Sequence, residues 1–188
     1  MDGSNFDDLS DTVLACGGEY GLYHSKRLRK IIDAIAEDIS YNKDIAVFCA
    51  YTHDLGGYPK YAKENVDHAV RSREVVESFV AQYNFSNAEK DIIFETILNH
   101  HNPVPLKSIE AILLRDADAI DTLGFIGIAR DITRAPRDIK KGIKSIQAHR
   151  EKLPGILTLD SSKKMAEERI REMDIFLSKF FSESFYYF

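Results

Sequence analysis

The chain has 188 residues, 44% of them hydrophobic and 29% charged, and a net charge of −5. That length and mix predict one folded domain with a sizeable core, and the two cysteines, Cys16 and Cys49, exclude a disulfide framework. The acidic balance argues against broad binding to nucleic acid or anionic membrane, no apolar run approaches the roughly 20 residues that span a bilayer, and the acidic Met1 to Asp11 stretch does not read as a signal peptide, so a cytoplasmic setting is expected.

The elements follow one another as helices. From Tyr23 to Ile39 the residues Leu28, Ile31, Ile32, Ile35 and Ile39 keep steps of three and four. Asp44 to Asp54 is apolar nearly all round, which predicts a central, buried helix with Cys49 as a reduced, buried thiol. Asn65 to Tyr83 is amphipathic, and Asn87 to His100 repeats the pattern with Asn87 as the expected N-cap. Ser108 to Leu123 follows the break at Pro103 and Pro105. Gly124 and Gly127 interrupt the next stretch, and Pro136 ends it. Asp138 to Lys152 and Ser161 to Ser182 close the series, divided by Pro154-Gly155. No alternating strand run and no internal repeat is visible. The expectation is an all-α domain of about seven to nine helices. The tail Phe181 to Phe188 holds five aromatics, expected to serve core packing or a homodimer contact.

Chemistry concentrates on histidines and aspartates that lie on apolar helix faces. His53-Asp54 closes the most apolar helix, where an ionisable pair is costly to bury without a partner or a metal. Asp54 lies four residues after Ala50, and His53 four after Cys49; His24 leads the stripe of Leu28, Ile31 and Ile35. A further carboxylate comes from Asp116-Ala117-Asp118-Ala119-Ile120-Asp121. Residues two apart on a helix differ by roughly 200°, so Asp116 and Asp118 cannot face one ion together, and spacing leaves the choice open. Helical bundles build metal sites from side chains projecting off facing helices, and mixed imidazole and carboxylate donors suit Mn, Fe, Co, Ni or Zn.

The order His24 … His53-Asp54 … Asp118 is similar to the signature of the HD-domain metal-dependent phosphohydrolases. Its flanks support the likeness: Ala50-Tyr51-Thr52-His53-Asp54-Leu55, then Asp67-His68-Ala69, Ile97-Leu98-Asn99-His100, and Leu114-Arg115-Asp116-Ala117-Asp118. Leu123 to Arg130 and the last helix resemble a small, stand-alone bacterial-type branch, some members of which act as nucleotide pyrophosphatases. The likeness predicts a single HD-type domain over 1–188, with a core match at about 20–135 and helices 136–188 belonging to it. Leu55-Gly56-Gly57-Tyr58 replaces the acidic residues that follow the pair in alarmone hydrolases. His100-His101 is followed by Asn102-Pro103, unlike the HD-GYP phosphodiesterases.

The resemblance implies that His24, His53, Asp54 and Asp118 bind one divalent ion. Manganese is the first expectation, with magnesium, cobalt, nickel or iron as alternatives. It selects Asp118 through the run Ala117-Asp118-Ala119-Ile120. It further implies hydrolysis of a small phosphorylated metabolite, a nucleotide in the first instance. Asp54 would take a proton from water, and His68 and His100 would orient water, protonate a leaving oxygen or hold a second ion. Lys60 and Lys63, in the loop after the pair, are expected to contact phosphate. So is Arg130, which follows a Gly-containing apolar run and needs an anion or carbonyls for its five donors. Arg27, Arg71 and Arg73 are further cations, and Tyr58 and Tyr61 could stack on a base. Two other readings differ in class. One is a di-iron oxygenase using His68 and His100 or His101; the other is a non-catalytic metal-binding module.

Overall fold

The computed structural model describes residues 6–187. Met1 to Asn5 of the acidic N-terminal stretch and Phe188 of the aromatic tail lie outside the described residues. The described residues form eight α-helices and no strand: α1 (Asp7–Ile35), α2 (Lys43–Thr52), α3 (His68–Glu77), α4 (Asn87–Asn99), α5 (Ile109–Asp121), α6 (Gly124–Arg134), α7 (Ile139–Lys152) and α8 (Asp160–Glu183). Among them, no helix is long and apolar enough to cross a membrane. The chain divides into two compact units, Met1–Arg115 and Asp116–Phe188. The division falls inside α5, where the sequence offers no linker.

In the first unit α1 packs on α2, α2 on α4, and α3 on both α4 and the 3₁₀ turn Leu55–Gly57. α1 begins well before the periodic stretch that predicts it. Inside the helix the non-helical residue is Gly18, at φ 62° and ψ −166°. That positive φ is open to glycine at little cost, so two helical segments join at one kink. α2 is capped by Asn42, whose Oδ1 accepts from the amides of Asp44 (3.1 Å) and Ile45 (3.3 Å). The predicted helix 65–83 is shorter at both ends. Asp67 caps it at the start, accepting from the Ala69 amide at 2.8 Å. At the other end the Ser78 hydroxyl donates to the Val75 carbonyl at 2.6 Å, a local bond that competes with the helical ladder, and a 3₁₀ turn at Val80–Gln82 follows. The cap of α4 is Ser86, not Asn87. Ser86 Oγ accepts from the Glu89 amide (3.3 Å) and Glu89 Oε2 accepts from the Ser86 amide (2.8 Å), a capping box.

The core of this unit centres on Phe48, which is fully buried in α2. Its ring stands edge-on to Tyr83 at 5.0 Å and to Phe85 at 5.2 Å. Phe6 joins the same cluster at 5.9 Å. Burying a side chain of this size contributes roughly 1.5–3 kcal/mol, so α2 is anchored from its apolar face while its C-terminal end stays available for polar groups.

In the second unit α6 packs on α7 and α8, and α7 on α8. Asp138 caps α7 by accepting from the Lys141 amide at 2.9 Å. The aromatic tail does not serve core packing: Phe185, Tyr186 and Tyr187 are 75–87% exposed. α8 ends at Glu183, and Phe185 and Tyr186 take positive φ values of 50° and 62°. That turn leaves a stacked pair, Phe181 on Tyr186 at 5.9 Å, on the surface.

Candidate metal centre

Local structure brings four histidines to one carboxylate within the first unit. His24 lies on the buried face of α1, and His53 is the C-cap of α2. Asp54 follows with φ −102° and ψ 4°, the bridge region in which many active-site residues sit. His68 opens α3, and His100 is the C-cap of α4.

The Asp54 carboxylate stands between two pairs of imidazoles. Its Oδ2 is 3.8 Å from His24 Nε2 and 3.6 Å from His53 Nε2. Its Oδ1 is 3.5 Å from His68 Nε2 and 3.6 Å from His100 Nε2. Within each pair the Nε2 atoms also approach closely, at 3.3 Å for His24 and His53 and 3.1 Å for His68 and His100. His24, His53 and His100 are each 1% exposed. Burial works against the Asp54 anion, yet the imidazoles of His53, His100 and His24 hold its carboxyl well below the usual carboxylate range.

One tautomer is fixed by a neighbour. His100 Nδ1 donates to the Ile97 carbonyl at 2.7 Å, which in the neutral ring makes Nε2 the nitrogen that carries the lone pair, able to accept from His68 Nε2 or to ligate an ion. Nitrogens that lie 3.1–3.3 Å apart cannot both carry a proton toward each other. Four imidazole nitrogens and a carboxylate gathered at one place are a donor set that a divalent cation satisfies, so the donor chemistry fits a metal. His53, Asp54 and His100 place ligand atoms within 4.8 Å of one another, and so do His68, His100 and His101.

The turn after the pair holds α3 in position. A Cβ on Gly56 would lie 2.3 Å from the Ser72 backbone nitrogen and 2.6 Å from the Arg71 carbonyl carbon, so the close approach requires glycine. The Gly56 amide donates to Ser72 Oγ at 2.9 Å. This contact sets His68, one helical turn before Ser72, against Asp54.

The other predicted residues fall as follows. Lys60 lies over the Tyr61 ring at 5.2 Å, and the Lys63 ammonium pairs with Glu74 Oε2. The Tyr58 ring packs against Gly17 and Gly21 of α1. Arg130 is buried in the second unit and donates to Asp121 Oδ2 at 2.7 Å, a carboxylate of its own unit. Asp116 is fully buried and accepts from the Thr158 amide (3.0 and 3.1 Å) and the Leu159 amide (2.9 Å), a structural role. Asp118 is half-buried on α5.

Sequence reasoning gave little weight to two residues beside the cluster. His101 stacks on His68 with ring centres 4.6 Å apart, and its Nε2 is 3.5 Å from Asp67 Oδ2. Asp67 is thus both a helix cap and a neighbour of His68 and His101. His101 entered the sequence reading only as an alternative iron ligand, and Asp67 only as a flank of His68.

The model of the HD domain family matches residues 21–123, more than half of the chain. This chain belongs to the HD domain family. It is 30% identical over 105 residues to ribonuclease Y of Fusobacterium nucleatum, a match covering 55% of this chain and 18% of that protein. The chain thus spans under a fifth of the length of the curated relatives it matches. An HD-superfamily hydrolase from Bacillus thuringiensis superposes with a TM-score of 0.73 at 22% identity, covering 97% of this chain and 98% of that one. Bacillus subtilis YpgQ in complex with ADP superposes with a TM-score of 0.72 at 20% identity, covering 94% and 93%. These likenesses show the fold.

Proposed function

We propose that this HD-domain chain is a metal-dependent phosphohydrolase of a small phosphorylated metabolite, with a nucleotide as the first substrate class. The observation that carries this reading is the ring of four histidine Nε2 atoms around both oxygens of Asp54. The fold shared with an ADP-bound neighbour supports a nucleotide. His24, His53 and Asp54 would hold the ion together with Asp118, which the family pattern implies, and manganese is the first candidate. When bound, such an ion lowers the pKa of a water ligand and stabilises charge on the phosphoryl group.

The side chains divide the remaining work. Asp54 has two oxygens facing different imidazoles, so it can accept a hydrogen bond from the attacking water and orient it. His100, with Nδ1–H bound to Ile97, offers an acceptor at Nε2. His68 is about a third exposed and can reach a leaving oxygen as a proton donor. Lys60 and Lys63 would meet phosphate from the loop that follows the pair.

A second reading, two irons and an oxygenase, draws on the His68, His100 and His101 set at the far side of Asp54. Metal analysis separates the two. Purified protein should carry one or two divalent ions and release phosphate or pyrophosphate from a nucleotide panel with manganese. Two irons with an optical signature and no phosphate release would favour the oxygenase. Unchanged behaviour after chelation would leave a non-catalytic module.

A further inference from the structure

The first unit contains a second polar feature beside the histidine cluster. A cavity of about 290 Å³ is lined by Lys60, Tyr61, Lys63, Arg71, Glu74 and Val75. Three of these side chains are cationic and one is anionic, in a chain whose net charge is −5. A local excess of two positive charges on an acidic protein attracts anions selectively.

Arg71 is the built part of this cavity. Its Nη1 donates to the Lys63 carbonyl at 2.7 Å, which fixes the plane of the guanidinium. Its Nε is buried and has no hydrogen-bond partner among the described residues. A buried guanidinium donor left without an acceptor is costly, and a phosphate oxygen is the acceptor its fork geometry suits. The Lys63 ammonium is tied to Glu74, and Lys60 reaches from solvent over Tyr61.

Position links the cavity to the metal centre. Arg71 lies three residues after His68 on α3, so the two side chains are neighbours on one helix face, roughly 5–6 Å apart at Cβ. The Gly56 turn that sets α3 against Asp54 touches the backbone of Arg71 as well.

We propose that the Lys60–Lys63–Arg71 cavity is a subsite for a second, non-reacting phosphate, which selects substrates carrying a phosphoanhydride or a second phosphate group over simple monoesters. This rests on the phosphohydrolase reading of the histidine cluster. Arg71 supplies the oriented contact and the two lysines supply charge.

The test is binding of inorganic pyrophosphate and inorganic phosphate to the purified full chain by calorimetry, with metal content measured on every sample. Arg71→Gln should weaken pyrophosphate at least about tenfold while phosphate binding and metal content stay as in the wild type. Glu74→Gln, which removes the one anion, should tighten pyrophosphate several-fold and guards against a folding artefact at Arg71. Unchanged pyrophosphate binding in both variants overturns the subsite. So does an equal loss of phosphate and pyrophosphate in Arg71→Gln. Failure of the phosphohydrolase reading appears separately, as absence of metal or of phosphate release in the wild type.

Discussion

The two units satisfy carboxylates in opposite ways. In the second unit each buried aspartate is matched by ordinary donors. Asp121 meets the Arg130 guanidinium, Asp116 meets two backbone amides, and Asp131 accepts from Ser145 Oγ at 3.0 Å and lies 2.8 Å from His149 Nδ1. In the first unit Asp54 faces four imidazole nitrogens, one of which, on His100, has its proton committed to the far side of the ring. A closed ion pair is a structural device, whereas imidazoles gathered round one carboxylate form a donor set for a cation. The difference lies in the donors and in access, since the Asp54 side chain, just past the end of α2, is 31% exposed while Asp116 and Asp121 are fully buried on α5.

The sharpest way to break this comparison is to remove a ligand from the first unit. His53→Ala or Asp54→Ala should abolish metal retention while the far-UV helical spectrum persists. Loss of a direct ligand should exceed the 10- to 100-fold typical of removing a residue that merely orients one. Full occupancy in Asp54→Ala by elemental analysis would sink the metal assignment.

Next comes the matching cut in the second unit. Arg130→Ala strands the fully buried Asp121 carboxylate, which should cost about 3–5 kcal/mol in unfolding free energy and leave metal content unchanged in the folded fraction. A variant of unchanged thermal stability but raised KM would restore Arg130 to the substrate.

Much of the first unit was legible because its pattern is local. The apolar run of α2 ends at His53-Asp54, and periodicity places His24 on the stripe that α1 buries. What stayed hidden depends on contacts across the chain. Arg130 was legible as a buried cation in need of an anion, but nothing local says that Asp121 is one it meets. Gly56 reads as loop until Ser72 is seen packed on it. The α4 cap was misplaced by one residue because Asn87 is as good a cap type as Ser86, and the reciprocal bond from Glu89 decides the matter. The tail reads by composition as core packing or a homodimer contact, and Phe185, Tyr186 and Tyr187 lie exposed, with left-handed backbone at Phe185 and Tyr186 turning the chain after α8.

The paired aspartates of α5 sharpen the comparison at a smaller scale. Asp116→Asn keeps one acceptor oxygen but turns an amide toward the Thr158 and Leu159 donors, at a cost of roughly 1–3 kcal/mol in stability with metal retained. Asp118→Asn should do the reverse, losing metal with little change in melting temperature. Equal metal loss from both variants would leave the choice of Asp118 without support.

The smallest effect lies on the surface of the second unit, where a carboxylate pair is neither buried nor part of a site. Arg150 Nε and Nη2 donate to the two oxygens of Asp174 at 2.8 and 3.0 Å, joining α7 to α8. The Arg150 hydrogen bonds hold the Asp174 carboxyl below its ordinary value. Its stabilising contribution is therefore present above the unfolded carboxylate pKa, about 3.9, and fades as pH falls through the lowered folded value. Both side chains are almost half exposed, so solvent screening limits the contribution to about 0.2–1 kcal/mol even for a two-pronged pair. Asp174→Asn should lower the melting temperature slightly at pH 7, and the difference from wild type should shrink below pH 4 and in molar salt. A difference that stays constant across pH and salt would show that packing of α7 on α8, not the charge, makes the contribution.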